Sequence, residues 1–206
     1  MTLLVVCAVE AERAAILAGE HPDVEVITAG VGTAAAAAAT ARALAGTAYR
    51  AVVSAGIGGG VVGRVPVGGL ALADRSVAAD LGADSPDGFL SLDELGFGST
   101  AVPADPDLLT SLRVALPDAI VGPVLTVTTV TGTADGAARL LARHPDAVAE
   151  AMEGFGVATA AAQVGVPFAE LRTISNPVGP RDRDAWRIAD ALQTLTTAFA
   201  RLGRSR

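Results

Sequence analysis

Acid–base chemistry in this chain falls to carboxylates. All fifteen basic residues are arginine, so no lysine is present to hold a phosphate, form a Schiff base or act as a general base. The two histidines, His21 and His144, each stand before a proline in "EHPD" and "RHPD", contexts that predict exposed loops. They supply a zinc site poorly, and no metal or cofactor is expected. Glu153 lies in "EAMEGFGVATAAAQVGVPF" (150–168), between Met152 and Gly154 and ahead of a run of small apolar residues. A buried, unpaired carboxylate is costly, so Glu153 is a helix cap, an ion-pair partner or a ligand group. Glu12 in "AVEAE" (8–12), with Glu10, suits a helix start, but its place after a strand also suits a site. In "SAGIGGG" (54–60), Gly56, Gly58, Gly59 and Gly60 allow close approach to a ligand or form a plain turn. Asn176, before Pro177, is a turn residue or a site residue.

The elements that must position these residues follow from the apolar pattern. Buried strands are predicted over 3–9, 24–30, 50–60, 68–80, 119–130 and 167–175, with a short one near 147–151. Helices are predicted over 32–46, 106–116, 134–144, from 153, and over 183–202. Residues 81–104, rich in Gly, Pro and Asp, look like a long excursion, and such segments are functional or lie at an interface. Strands alternating with helices imply an α/β fold: three layers, α/β/α, around a mostly parallel, mixed and twisted sheet. No linker or repeat interrupts the chain, so residues 1–206 are read as one domain. In open α/β sheets ligands bind beyond the carboxyl ends of strands. Glu12, the 56–60 glycines, Glu153 and Asn176 all fall at such places.

Composition narrows the class. The chain is 51% hydrophobic but only 3% aromatic, with a net charge of −7. No basic stripe stands out, so nucleic acid is not expected as a partner. Cys7 lies in an apolar run and reads as a core residue; one cysteine forms no internal disulfide, which fits a reducing cytoplasm. The start, "MTLLVVCAVEAER", does not read as a signal peptide. The longest uncharged stretches, such as 119–134, are too short and interrupted for a membrane span.

The ordered set "AVEAE", "AGVGTAAAAAA", "SAGIGGG", "AMEG" and "LRTISN" resembles the purine nucleoside phosphorylase and methylthioadenosine/S-adenosylhomocysteine nucleosidase superfamily over about residues 3–200. Within it, "GFLSLDELGFG", "VTGT", "MEGFG" and "ISNPVGPRDRDAW" look most like the futalosine hydrolases, which remove hypoxanthine from futalosine in an alternative menaquinone pathway. The resemblance implies that Glu12 is the general base for an attacking water. Glu153 would hold the ribose hydroxyls, unpaired until substrate arrives, with Met152 packed on the sugar. Gly58 would line the sugar and water pocket, and Thr129 and Val130 would contact the purine. Asn176 replaces the aspartate of adenine-specific nucleosidases and implies a preference for 6-oxopurines. That replacement disfavours the methylthioadenosine nucleosidase alternative. The loop "GIGGG" has neither Arg nor Ser for phosphate, although Arg64 is near in sequence, so a phosphorylase fits less well. A non-catalytic nucleoside binder would need no Glu12. The resemblance also implies a homodimer or an assembly of dimers, with Phe89, Leu90 and Phe97 of one subunit closing the 5′ pocket of the next. The aryl carboxylate of futalosine calls for an arginine, with Arg181 and Arg183 as candidates.

Overall fold

Apolar residues on both faces of the first strand decide the layering. The computed structural model describes residues 2–204. In β1 (Leu3–Cys7) every residue is buried. Leu3, Val5 and Cys7 face one core and Leu4 and Val6 face another, the period-2 alternation of a strand covered on both sides. The first core is closed by α1 (Glu10–Leu17), α3 (Pro106–Ala115) and α6 (Ile188–Arg204), through Ile16, Leu112, Leu195 and Phe199. The second is closed by α2 (Thr33–Gly46) and α5 (Gly154–Gln163), through Ala36, Val157, Ala158 and Ala161. The expected three-layer α/β/α arrangement is therefore present, and alanine-rich helices lie on the second face.

The sheet is mixed. β2 (Val24–Thr28), β1, β3 (Ala51–Gly60) and β10 (Phe168–Pro177) run parallel in that order. β4 (Leu70–Ala78) is antiparallel to β10, and β8 (Ile120–Thr126) and β9 (Ala149–Ala151) continue parallel to β4. β9 then pairs antiparallel with the last residues of β3, Gly59 opposite Glu150 and Gly60 opposite Ala149. β3, β10, β4, β8 and β9 thus close on themselves. β3 can serve both neighbours because its first residues pair with β1 and its glycine end pairs with β9. A Cβ at Gly58 would lie 2.8 Å from the carbonyl oxygen of Glu150, too close for any side chain.

The excursion over 81–104 is structured. β5 (Gly82–Ser85) and β6 (Gly88–Ser91) form a hairpin of their own, and β7 (Ala101–Pro103) joins the edge of β4. The strand expected over 119–130 stops at Thr126, so Thr129 and Val130 sit in the loop that follows it. The remaining helix is α4 (Ala134–Arg143), capped by Thr133. His21 and His144 are half-buried rather than exposed, and burial pulls the His144 pKa down. Cys7 is a core residue as expected, and burial, with Glu12 nearby, pushes its thiol up to about 12, which leaves it inert as a nucleophile. Among the described residues no helix is long and apolar enough to cross a membrane.

Candidate functional site

A cavity of about 370 Å³ opens beyond the carboxyl ends of β1, β3 and β10, beside β9, where an α/β sheet binds ligands. Its volume falls in the range of small-molecule sites. Glu12, Gly58, Val130, Met152, Glu153, Asn176 and Arg181 all line it. Thr129 does not; it is exposed in the loop past β8. Phe89 and Phe97 are also outside this cavity. Phe89 lies under the guanidinium of Arg143 at 4.4 Å, and Phe97 is 79% exposed.

Glu12 is 3% exposed and held by three backbone donors. Its Oε2 accepts from the N–H groups of Ala8 (2.8 Å) and Val9 (3.2 Å), and its Oε1 from that of Ile57 (2.8 Å). The helix-start position and a place in the cavity lining coincide. Glu12 satisfies the amide of Val9 at the mouth of α1, and the same carboxylate faces the cavity. A carboxylate offers about four acceptor positions, so Oε2 is filled and Oε1 keeps one free. Gly56 leaves that oxygen room: a Cβ there would collide with Glu12 Oε1.

Glu153 corrects an expectation. It stands at the N-cap of α5 but makes no side-chain cap bond, and it is not unpaired. Its Oε1 accepts from Gly32 N–H at 3.2 Å, and its Oε2 meets Arg172 Nη1 at 3.4 Å. Arg172 is 1% exposed. Its Nε donates to Glu170 Oε1 at 3.0 Å and its Nη2 to Ser54 Oγ at 2.8 Å. Burial works against the charge on Arg172, but Glu170, Glu153 and Glu12 outweigh it and hold the pKa above its ordinary value. In Glu170, which is wholly buried, desolvation wins and the pKa rises despite Arg172. Sequence reasoning missed this cluster. The signal was present in "FAELRTIS": opposite charges at i and i+2 share one face of a strand, and in a buried strand they must pair.

Asn176 is aimed by a register shift in β10 between Ile174 and Asn176, the kind of irregularity that redirects a side chain. Its Oδ1 accepts from Ser175 Oγ at 2.8 Å, and its Nδ2 donates to Pro177 O at 3.0 Å, which leaves one amide hydrogen. Arg181 Cζ lies 5.5 Å from the ring centroid of Trp186, another lining residue, while Arg183 stacks on the same ring from outside the cavity. Among the described residues Arg181 has no carboxylate partner. Arg64 is turned away, its guanidinium bonded to the carbonyls of Ala147 and Pro145. No cluster of His, Cys, Asp and Glu among the described residues is arranged to hold a metal ion.

Known proteins place this geometry. The family model of the phosphorylase superfamily matches residues 5–205. Futalosine hydrolase of Streptomyces coelicolor is 54% identical over 200 residues, covering 94% of this chain and 84% of that protein. Futalosine hydrolase of Acidothermus cellulolyticus is 48% identical over 219 residues, covering 97% and 89%. The crystal structure of 5′-methylthioadenosine/S-adenosylhomocysteine nucleosidase from Neisseria meningitidis in complex with methylthio-immucillin-A superposes with a TM-score of 0.86 at 17% identity, covering 100% of this chain and 99% of that one. That likeness is one of fold. Sequence identity at these levels over nearly the whole length, on a fold the family shares, decides the matter: the chain belongs to the phosphorylase superfamily and, within it, to the futalosine hydrolases.

Proposed function

We propose that this chain, acting as one domain, hydrolyses the N-glycosidic bond of futalosine and releases hypoxanthine, with water as the acceptor. The carrying observation is the pairing, in one cavity, of Glu12 with one free acceptor position and Glu153 fixed by Arg172. Glu12 Oε1 takes a proton as water attacks C1′, and the C1′–N9 bond breaks with its electron pair leaving on the purine, which is then protonated. Glu153 accepts from the ribose hydroxyls, and Met152, half-buried in the lining, packs on the sugar. Arg172 keeps the Glu153 carboxylate in place; it is a positioning residue. Asn176 has a spare N–H for O6 of the base.

The same reading places the enzyme in the cytoplasm, on a futalosine route to menaquinone, as a homodimer or an assembly of dimers. Three apolar residues at the cavity, Val9, Val31 and Val130, are 40%, 56% and 42% exposed, and Phe97 and Leu90 of the 81–104 segment stand out from the surface. A second subunit that brings Phe89 and Phe97 over the cavity mouth would cover both patches.

Purified protein mixed with futalosine should release hypoxanthine at the same rate with and without phosphate, followed by chromatography of the base. Release that requires phosphate would identify a phosphorylase. Glu12→Gln keeps the shape but cannot take the proton, and its kcat should fall by about 10²–10⁴-fold while substrate still binds. Near-normal turnover would remove Glu12 from the mechanism.

Arg172→Met leaves Glu170 and Glu153 buried without their cation. Breaking a buried pair in this way costs about 3–5 kcal/mol, and urea unfolding should show it. A loss below about 1 kcal/mol would mean that water enters and solvates the carboxylates.

Arg181 is suited to the aryl carboxylate of futalosine, with the Trp186 ring beside it for the aryl group. Converting the substrate's carboxylate to an amide should raise KM for the unaltered enzyme. Arg181→Gln should raise KM for futalosine and add little for the amide; equal losses on both substrates would leave Arg181 without that role.

Sedimentation velocity at assay concentrations should give a dimer or larger species, and Phe97→Asp should weaken both association and substrate binding. A fully active monomer would rule out a shared site.

A further inference from the structure

One more carboxyl lines the cavity and has no part in the chemistry so far. Glu150, on β9, is 6% exposed. Its Oε1 accepts from the backbone N–H of Thr131 at 2.9 Å, and its Oε2 is bonded to the Thr131 hydroxyl. Among the described residues it forms no ion pair. Burial raises its pKa, with Asp80 adding to the effect and the Thr131 bonds opposing it. Tethering one loop residue does not require an acid; an amide would satisfy the same Thr131 N–H without a buried charge to solvate. The side chain also keeps acceptor positions on both oxygens that Thr131 does not fill.

Strand register gives its place in the site. Asn176 of β10 and Glu150 of β9 are both opposite Gly59 of β3. The three residues form one row across the sheet, with no side chain in the middle. A Cβ at Gly59 would press on Val178 Cγ2 at 3.1 Å and lie 3.4 Å from Asn176 Nδ2, and Gly59, Asn176 and Glu150 all line the cavity. Glu12 contacts β3 at Gly56 and Ile57. At about 3.3 Å of rise per residue, the Gly59 row is roughly 7–10 Å farther along the strand. That offset leaves the Gly59 row well clear of Glu12 within the same cavity.

The row presents one donor and one acceptor. Asn176 has a spare N–H, because its oxygen already accepts from Ser175 and its other hydrogen goes to Pro177. Glu150 offers only acceptor positions when ionised. A 6-oxopurine presents the complement on adjacent atoms, an acceptor at O6 and a donor at N1–H. A 6-aminopurine presents the reverse, a donor at N6 and an acceptor at N1.

We propose that Glu150 is the second base-reading residue of this site, its carboxylate accepting the N1–H of a 6-oxopurine while Asn176 donates to O6. The assignment rests on the hypoxanthine-releasing reading above and names the atom of the base that the enzyme checks. Glu150 acts on binding and leaves the proton transfer to Glu12. A hydrogen bond to a charged group carries about 1.5–3 kcal/mol, so the effect is roughly 10- to 100-fold.

The test measures binding of the free base by calorimetry, independently of turnover, with hypoxanthine, 1-methylhypoxanthine and adenine. Unaltered protein should bind hypoxanthine about 10- to 100-fold more tightly than either of the others. Glu150→Gln should lose most of that factor for hypoxanthine and lose little for 1-methylhypoxanthine. Equal binding of hypoxanthine and 1-methylhypoxanthine by the unaltered protein would overturn the assignment without recourse to any variant. So would an equal loss for both bases in Glu150→Gln, since Glu150 would then only support the Thr131 loop. Hydrolysis of futalosine by the unaltered protein is scored separately. Failure there would sink the hydrolase reading, whereas the difference between the two bases in the loss caused by Glu150→Gln reports on Glu150.

Discussion

The floor of the site depends on one buried cation. Arg172 has no access to water and must be neutralised where it stands; Glu170, Glu153 and the hydroxyl of Ser54 do so, with Glu12 adding to the field. Such a cluster is a poor source of stability, because desolvating each ion takes back much of what pairing returns. Its consequence is positional. Glu153 has Arg172 on one oxygen and the Gly32 amide on the other, so a carboxylate that lines the cavity is fixed before any ligand arrives. Pre-ordering of this kind removes an entropic cost from ligand binding.

The cluster also dictates glycines that would otherwise be credited to ligand access. A Cβ at Gly154 would fall on the carboxylate of Glu170, and one at Gly56 would press on both Glu12 Oε1 and Arg172 Nη1, the latter at 3.0 Å. Gly154 of "MEGFG" and Gly56 of "SAGIGGG" therefore make room for the protein's own charges. Farther along β3, Gly59 lines the cavity itself, and a Cβ there would press on Val178 and Asn176 rather than on a charge.

Elements whose signal is local were legible in the sequence. The apolar runs of β1, β3 and β10 and the alanine-rich α2 announced a covered, largely parallel sheet, and strand ends located Glu12, Glu153 and Asn176 correctly beside one cavity. What was missed depends on residues far apart in the chain. The partner of Glu153 lies nineteen positions away on another strand, so the carboxylate read as unpaired. Glu150 becomes interesting only when β9 turns back onto β3, a pairing of two residues that no periodicity reveals. The β5–β6 hairpin had a local signal, "SPDG" between two short runs, but its strands are exposed and lack the apolar alternation that marks a covered sheet. Thr129 was placed on a strand because the apolar and β-branched run continues to Val130; the ladder ends at Thr126, where β8 runs out of partners.

Electrostatics at the floor also bears on the choice of nucleophile. Glu12 and Glu153 both face the cavity, and the one cation beside them is committed to carboxylates and a hydroxyl. Arg64, the other arginine near the glycine strand in sequence, has its guanidinium tied to two main-chain carbonyls. A phosphate dianion beside Glu12 and Glu153 would meet two carboxylates, with Arg172 and Arg64 both committed elsewhere, and in a partly desolvated site that repulsion is weakly screened. Water carries no charge to the floor, where Glu12 Oε1 keeps one acceptor position free. Arg181, the lining cation without a carboxylate partner, lies instead on the loop beyond Asn176, bonded through its backbone to Gly132. Arg172 and Arg64 are thus committed to groups of the protein itself, and among the described residues Arg181 is a lining arginine that pairs with no carboxylate.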